Sequence, residues 1–316
     1  MINRVLLRIK IIQILYSFYK GDGKSLKSAE EELFFSIGKT YQLYFHLLLL
    51  SVEITRYAAE RIEARRNKLQ PNPEDLNPNT RFVDNAFVNQ LKHNKYFNDY
   101  LKANKLSWVN YPDVIKEIYE EIITADFYTE YMNTQYSDYE ADKNIWRKIY
   151  KKIILQNEEL DNSLEEQSIY WVDDVELVIS FILKTIKRFQ FSNGSLQQLL
   201  PMFKDEEDAE FARNLLRFAI TNGSQFRDMI EANTKNWEID RVAFMDTLLM
   251  EVALAELINF PTIPVNVTLN EYIEIAKNYS TEKSGTFING VLDNIVNQLR
   301  KEKKLIKVVM FDDGQK

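Results

Sequence analysis

Apolar residues recur along this chain at three- and four-residue steps, the spacing of one face of an α-helix. In residues 2–20 the stripe runs Val5, Ile9, Ile12 and Tyr16, widened by Leu6, Leu15 and Tyr19, and Gly21 and Gly23 end it. Ser25 to about Lys68 predicts one long helix or a hairpin of two, with Gly38 a candidate break. Pro71, Pro73 and Pro78 then crowd a segment that no regular element tolerates well, which predicts a linker. Residues 81–200 return to helical spacing, as in Ile115, Ile118, Tyr119 and Ile122, then Ile145, Ile149 and Ile153, then Val175, Val178, Ile179 and Ile182. After Asp205 one face carries Phe211, Leu215, Phe218 and Ala219, with Gly223 as a stop. Phe226, Met229 and Ile230 begin another helix, closed by Trp237.

Residues 240–258 are apolar nearly all round, interrupted by Asp240, Arg241, Asp246, Glu251 and Glu256. A helix of that kind is central and covered on most sides. Pro261 and Pro264 force an extended connection, and Thr268 with Glu271 has the spacing of a capping box. Tyr272, Ile275, Ala276 and Tyr279 stripe the next helix, and Phe287, Val291, Ile295 and Leu299 the last. Gly290 in that last helix suits close packing of a neighbour. The pattern is all-α. It divides into N-terminal helices over 1–70, a linker and helical insertion over 71–200, and a C-terminal bundle over 201–316.

Composition agrees, since only 8 glycines and 7 prolines interrupt 316 residues of which 45% are hydrophobic. The absence of cysteine excludes disulfides, thiolate metal sites and a cysteine nucleophile. His46 and His93 are the only histidines, so a zinc site would need carboxylates to complete it. No Gly-rich phosphate loop, G-x-S-x-G elbow or H-E-x-x-H helix occurs, and the adjacent acids Asp173-Asp174 and Asp312-Asp313 do not face one another on a helix. The expectation is a protein without catalytic activity or cofactor. Leu43–Val52 is too short to span a bilayer, and the apolar start lacks a small-residue cleavage site, which predicts a cytoplasmic protein with no membrane partner.

Net charge of −7 argues against a basic protein, but the charge is uneven. Arg4, Arg8, Lys10, Lys20 and Lys24 face Asp22 alone at the start, and Arg300, Lys301, Lys303, Lys304 and Lys307 crowd the other end. Residues 156–183 hold eight acids and no lysine or arginine. Any nucleic acid would engage the chain ends and avoid this stretch. The aromatics of the second block therefore read as core residues, because a base-stacking platform needs nearby positive charge.

Three ordered blocks carry a family resemblance: Val252-Ala253-Leu254-Ala255-Glu256-Leu257-Ile258, then Ile263 to Lys277 with Asn270-Glu271 and Glu274-Ile275-Ala276-Lys277, then Phe287-Ile288-Asn289-Gly290-Val291-Leu292-Asp293. Together they resemble the NusB family of transcription antitermination factors. Arg8 followed by Ile12-Gln13-Ile14-Leu15-Tyr16 looks like the family's first helix, and weaker similarity reaches back to about Asp205. Typical members are much shorter; the chain resembles the longer members found in the Bacteroidetes, with residues 25 to 200 expanded.

The resemblance implies two packed helical bundles carrying a large helical insertion. It also implies binding of the boxA element of nascent ribosomal RNA, as a heterodimer with the small-subunit ribosomal protein NusE, within an RNA polymerase antitermination complex. Arg4 and Arg8, one helical turn apart, become candidates for phosphate contacts, or else a solvated helix edge. Phe287 is a candidate for stacking on a base, or else buries in the bundle. Asn289 is a polar RNA contact or a local cap, and Lys283 a phosphate contact or a loop decoration. Tyr16 and Asp246 match positions that face NusE. Glu251 stands near a position where many members carry arginine, and the basic N-terminus is thinner than theirs. Two alternatives follow: an RNA methyltransferase, which the missing cysteine opposes, and a helical protein-interaction scaffold that has lost RNA binding.

Overall fold

The computed structural model describes residues 2–21, 25–135, 138–234 and 243–308. The predicted all-α class is what is found, and the only β pairing among the described residues is an isolated bridge between Ile2 and Phe203. In chain order the helices are α1 (Arg4–Lys20), α2 (Leu26–Arg66), α3 (Pro73–Leu76), α4 (Ala86–Lys92), α5 (Lys95–Asn104), α6 (Pro112–Thr124), α7 (Asp126–Asn133) and α8 (Tyr139–Lys152). They continue with α9 (Glu158–Gln167), α10 (Val175–Arg188), α11 (Glu206–Thr221), α12 (Gly223–Thr234), α13 (Phe244–Asn259), α14 (Val265–Tyr279) and α15 (Ser284–Lys301). No described helix is long and apolar enough to cross a membrane. Gly23, Asp240, Arg241, Trp237 and the Asp312-Asp313 pair lie outside the described residues.

The chain forms two compact units, one of residues 38–202 and one of residues 2–37 with 203–316. This moves both edges of the anticipated insertion. Gly38 does not break α2, and its Cβ position is open, so the residue costs only about 1 kcal/mol of helix propensity there. The proline-rich stretch is not a boundary either. Asn72 and Asp75 form a capping box for α3, Lys68 pairs with Asp75 at 3.2 Å, and Asn79 Nδ2 donates to the Met132 carbonyl at 2.8 Å. Those bonds fold the segment into the unit.

In the 38–202 unit, α2 is buried on every side from Leu43 to Ser51. Large rings pack on it and spend their polar atoms on its backbone and side chains. Trp108 Nε1 donates to the His46 carbonyl at 2.9 Å, and Tyr150 Oη donates to the Leu47 carbonyl at 2.8 Å. Trp171 Nε1 donates to the Lys39 carbonyl at 2.8 Å. Buried polar groups must be paired, so these bonds also fix which ring sits where. The aromatics of this block are largely core, as its acidic charge suggested.

In the other unit α13 is the centre, with every residue from Leu248 to Leu257 buried. Helices α1, α11, α12, α14 and α15 surround it. The helix α11 starts where Asp205 accepts a hydrogen bond from the Asp208 amide, a cap worth about 1 kcal/mol. Helix α14 departs from the predicted capping box. It starts at Val265 after an extended Pro264, so Thr268 and Glu271 lie inside the helix and bond elsewhere. Gly290 faces open space and is not a close-packing site.

Candidate functional site

The three carboxylates of α13 organise this unit. Asp246, Glu251 and Glu256 are five residues apart, so each points to a different side of the helix, and all are buried. A buried carboxylate needs partners. Each finds them on the neighbouring helices or the turn between two of them.

Glu256 receives Arg8 of α1 in a two-pronged pair, Nε to Oε2 at 2.7 Å and Nη2 to Oε1 at 2.8 Å. Thr268 Oγ1 (2.8 Å) and Tyr272 Oη (3.2 Å), both from α14, donate to the same carboxylate. Arg8 Nη1 also reaches Glu271 at 3.2 Å. Burial disfavours the Arg8 charge, yet the Glu256 bond and charge outweigh it and hold its pKa above the ordinary value. Arg8 is 3% exposed, so it differs from the surface arginine anticipated for phosphate contact. Its guanidinium is a structural clamp between α1, α13 and α14.

Arg4, one turn earlier, keeps 39% of its side chain exposed and pairs with Asp208 at 3.4 Å. Both arginines lie over the Phe211 ring, at 4.9 and 5.6 Å from its centroid, so they do share a face of α1. Phe211 and Asp208 carry no signal of this role in the sequence, because α11 lies some two hundred residues away.

Glu251 accepts Tyr19 Oη at 2.9 Å and pairs with Arg227 of α12 at 3.0 Å. Burial pushes its carboxyl up to about 7, with Arg227 and Tyr19 opposing the shift. Gly223 completes this cluster, since a Cβ there would collide with the Tyr19 hydroxyl. Next to it an aromatic patch opens to solvent. Tyr16 is 41% and Phe244 38% exposed, their rings 5.6 Å apart edge to face, with the Lys20 ammonium 4.5 Å over Phe244. Phe244 and Lys20 were not anticipated; Phe244 opens the apolar run of α13 and reads from sequence as core.

Asp246, expected to face a partner, is buried instead. It accepts Ser280 Oγ at 2.5 Å and Ser284 Oγ at 2.9 Å, and so latches the turn between α14 and α15. That turn carries Lys283, which is exposed and immediately precedes α15. Phe287 lies one turn on, its amide bonded to the Lys283 carbonyl at 3.2 Å, and is half-buried. Asn289 is also half-buried, but its two-residue offset from Phe287 turns it to another face.

Arg8 sits beside Glu256, whereas Lys283 follows the turn latched by Asp246, ten residues and about 15 Å earlier along α13. At the C-terminal end Lys304 pairs with Glu302 at 2.7 Å, and Lys307 Nζ donates to the Phe260 carbonyl at 2.9 Å. That end borders an open groove of about 750 Å³ that includes Asn266, Asp293, Arg300 and Lys307.

This geometry defines a helical scaffold, in which buried charges of a central helix fix the neighbours that bear the exposed groups. Comparison with known proteins specifies which. The NusB family model matches residues 176–297. The transcription antitermination protein NusB of Salinibacter ruber is 36% identical over 132 residues, covering 40% of this chain and 82% of that protein. That of Geotalea daltonii is 38% identical over 133 residues, covering 42% of this chain and 89% of its own length. That of Listeria monocytogenes serotype 4a is 36% identical over 113 residues, covering 36% and 88%. A solved T. maritima NusB is 29% identical, with a TM-score of 0.30, covering 46% of this chain and 89% of its own. The chain belongs to the NusB family and is larger than the relatives it matches. Residues 2–20, which resemble the family's first helix, lie outside the matched range.

Proposed function

We propose that this protein is an RNA-binding transcription antitermination factor that holds boxA-type RNA together with NusE and alters neither chemically. The observation that supports this most is the match to transcription antitermination proteins across most of their length. In this reading Arg4, Lys283, Phe287 and Asn289 meet the RNA, Arg4 and Lys283 through phosphates and Phe287 through stacking on an unstacked base. Tyr16, with Phe244 and Lys20 beside it, meets NusE: an exposed aromatic pair under a cation suits a protein interface. Arg8 and Asp246 act one step back. Arg8 seats the helix that bears Arg4, and Asp246 latches the turn that bears Lys283 and Phe287.

The test is fluorescence anisotropy with labelled boxA RNA and a panel of Arg4→Ala, Lys283→Ala and Phe287→Ala, each measured across a salt series. Losing one phosphate contact weakens binding and lowers the slope of log K against log salt by about 0.7. Loss of the ring weakens binding with little change of slope. If none of the three variants changes RNA affinity, while Tyr16→Ala still abolishes NusE binding, the chain is a protein scaffold without RNA binding. The pairing of Arg4 with Asp208 favours that second reading.

A further inference from the structure

The 38–202 unit carries a firmly held turn that displays an aromatic ring three residues after the exposed cations at the end of α10. After α10 the chain makes a 3-10 segment, Phe191–Leu196, in which Gly194 takes φ +50, a conformation that favours glycine. Buried side chains grip this turn from beneath. Gln90 Nε2 donates to the Gln190 and Gly194 carbonyls at 3.0 and 2.9 Å, and Asn94 Nδ2 donates to the Gln197 carbonyl at 2.7 Å. Gln197 Oε1 accepts the Gln190 amide at 3.0 Å and Asn193 Nδ2 at 2.8 Å. A segment held this firmly nevertheless leaves Phe191 68% and Leu196 61% exposed. Tyr139 meets the Phe191 ring edge to face at 5.6 Å, which sets its orientation.

Tyr139 brings Glu140 close to the ring, where it pairs with Lys143 at 2.7 Å, whereas the segment that carries the ring is basic. Lys184, Lys187 and Arg188 share the exposed face of the last turns of α10, and residues 184–204 contain no aspartate or glutamate. None of the three makes an ion pair among the described residues. Cations at a helix C-terminus are commonly explained by the last carbonyls. Here buried Lys143 already supplies that service, donating Nζ to the Phe189 carbonyl at 3.1 Å and the Lys187 carbonyl at 3.4 Å. The acids of residues 156–183 precede these cations in sequence, and the nearest of them, Glu176, lies in the first turn of α10, at the opposite end of that helix.

We infer that the turn carrying Phe191, with Lys184, Lys187 and Arg188, is a second binding surface for single-stranded RNA, in which a base stacks on the ring and the cations track the backbone. Base–aromatic stacking flanked by positive charge is how strands are held without sequence preference. The rigid turn removes much of the ordering entropy that such binding otherwise loses. The inference extends the RNA-binding reading to a surface that reading does not use, and it stands or falls separately.

The test titrates the full chain with two labelled RNAs, a short oligouridylate and a boxA RNA, across a salt series. The variants are Phe191→Ala, Phe191→Tyr, the triple Lys184→Gln/Lys187→Gln/Arg188→Gln, and Arg4→Ala. Phe191→Ala weakens oligouridylate binding by about five-fold or more, and Phe191→Tyr, which keeps the ring, restores it. The triple variant lowers the salt slope by about 2, at ~0.7 for each of its three phosphate contacts. Oligouridylate binding indifferent to both Phe191→Ala and the triple variant overturns the inference, even where Arg4→Ala still weakens boxA binding. The reverse pattern, a Phe191 effect on oligouridylate with no Arg4 effect on boxA, upholds the inference and removes the boxA assignment of Arg4.

Discussion

Replacing Arg8 with alanine leaves the Glu256 carboxylate in a site that excludes water, with only the Thr268 and Tyr272 hydroxyls as donors. Arg8 is 3% exposed and Glu256 0%, so no solvent screens either charge. Removing one partner of a buried pair costs about 3–5 kcal/mol, because the remaining charge is uncompensated. For a cooperative unit of some 150–250 residues, 1 kcal/mol moves Tm by about 2–4 °C, so the thermal transition that includes α13 falls by roughly 6–20 °C. Calorimetry on the full chain reads this directly. The double variant Arg8→Met/Glu256→Gln removes both charges and keeps an acceptor for Thr268, and it recovers about 2 kcal/mol relative to the sum of the single variants. An Arg8→Ala chain that melts within about 2 °C of wild type, with no coupling in the cycle, refutes the clamp and returns Arg8 to the surface.

Glu251 carries a raised pKa of about 7 in the folded state, so its stabilising contribution is complete below the ordinary carboxylate range and is lost as pH rises through 7. Wild type is therefore more stable at pH 5.5 than at pH 8 by about 2 kcal/mol from this group, and Glu251→Gln flattens the difference in urea midpoints. His46 has the opposite sign. Burial between the Trp108 and Trp171 rings pushes its imidazole down to about 4, so stability is lost as pH falls from the ordinary histidine value toward 4. Between pH 7 and 5 the loss is about 2 kcal/mol, and a His46→Gln chain whose stability still falls this much contradicts the assignment. Gly223→Ala drives a methyl into the Tyr19 hydroxyl, breaks its bond to Glu251 and lowers stability by about 1–3 kcal/mol; Gly223→Ala/Tyr19→Phe recovers part of it in denaturant titrations.

The all-α class and the central place of α13 were legible because both rest on local spacing. Residues 244–259 are apolar on all sides, and such a helix has only one place to go. The partners of its carboxylates were not legible. Whether Arg8 faces water or core depends on Glu256, 248 residues away in sequence, and the same holds for Asp246 and its two serines. Local signals also misled where tertiary packing outweighed them. Gly38 weakens α2 slightly, but the buried run from Leu43 to Ser51 holds the helix together. The Thr268–Glu271 spacing matched a cap, yet Thr268 and Glu271 bond to Glu256 and Arg8 instead. The proline-rich segment looked like a linker because the bonds that fold it in come from Lys68 and from Met132. Phe191 was masked by its context, since averaging charge over the block hid the basic end of α10.

The central claim is joint recognition of RNA and NusE, and one titration reaches it most directly. Labelled boxA RNA is titrated with wild-type protein in the presence and absence of purified NusE, alongside a scrambled sequence of the same length. The account predicts that NusE tightens boxA binding and leaves the scrambled RNA weak, with an affinity that falls as salt rises. Equal binding of both RNAs, unchanged by NusE, would contradict it.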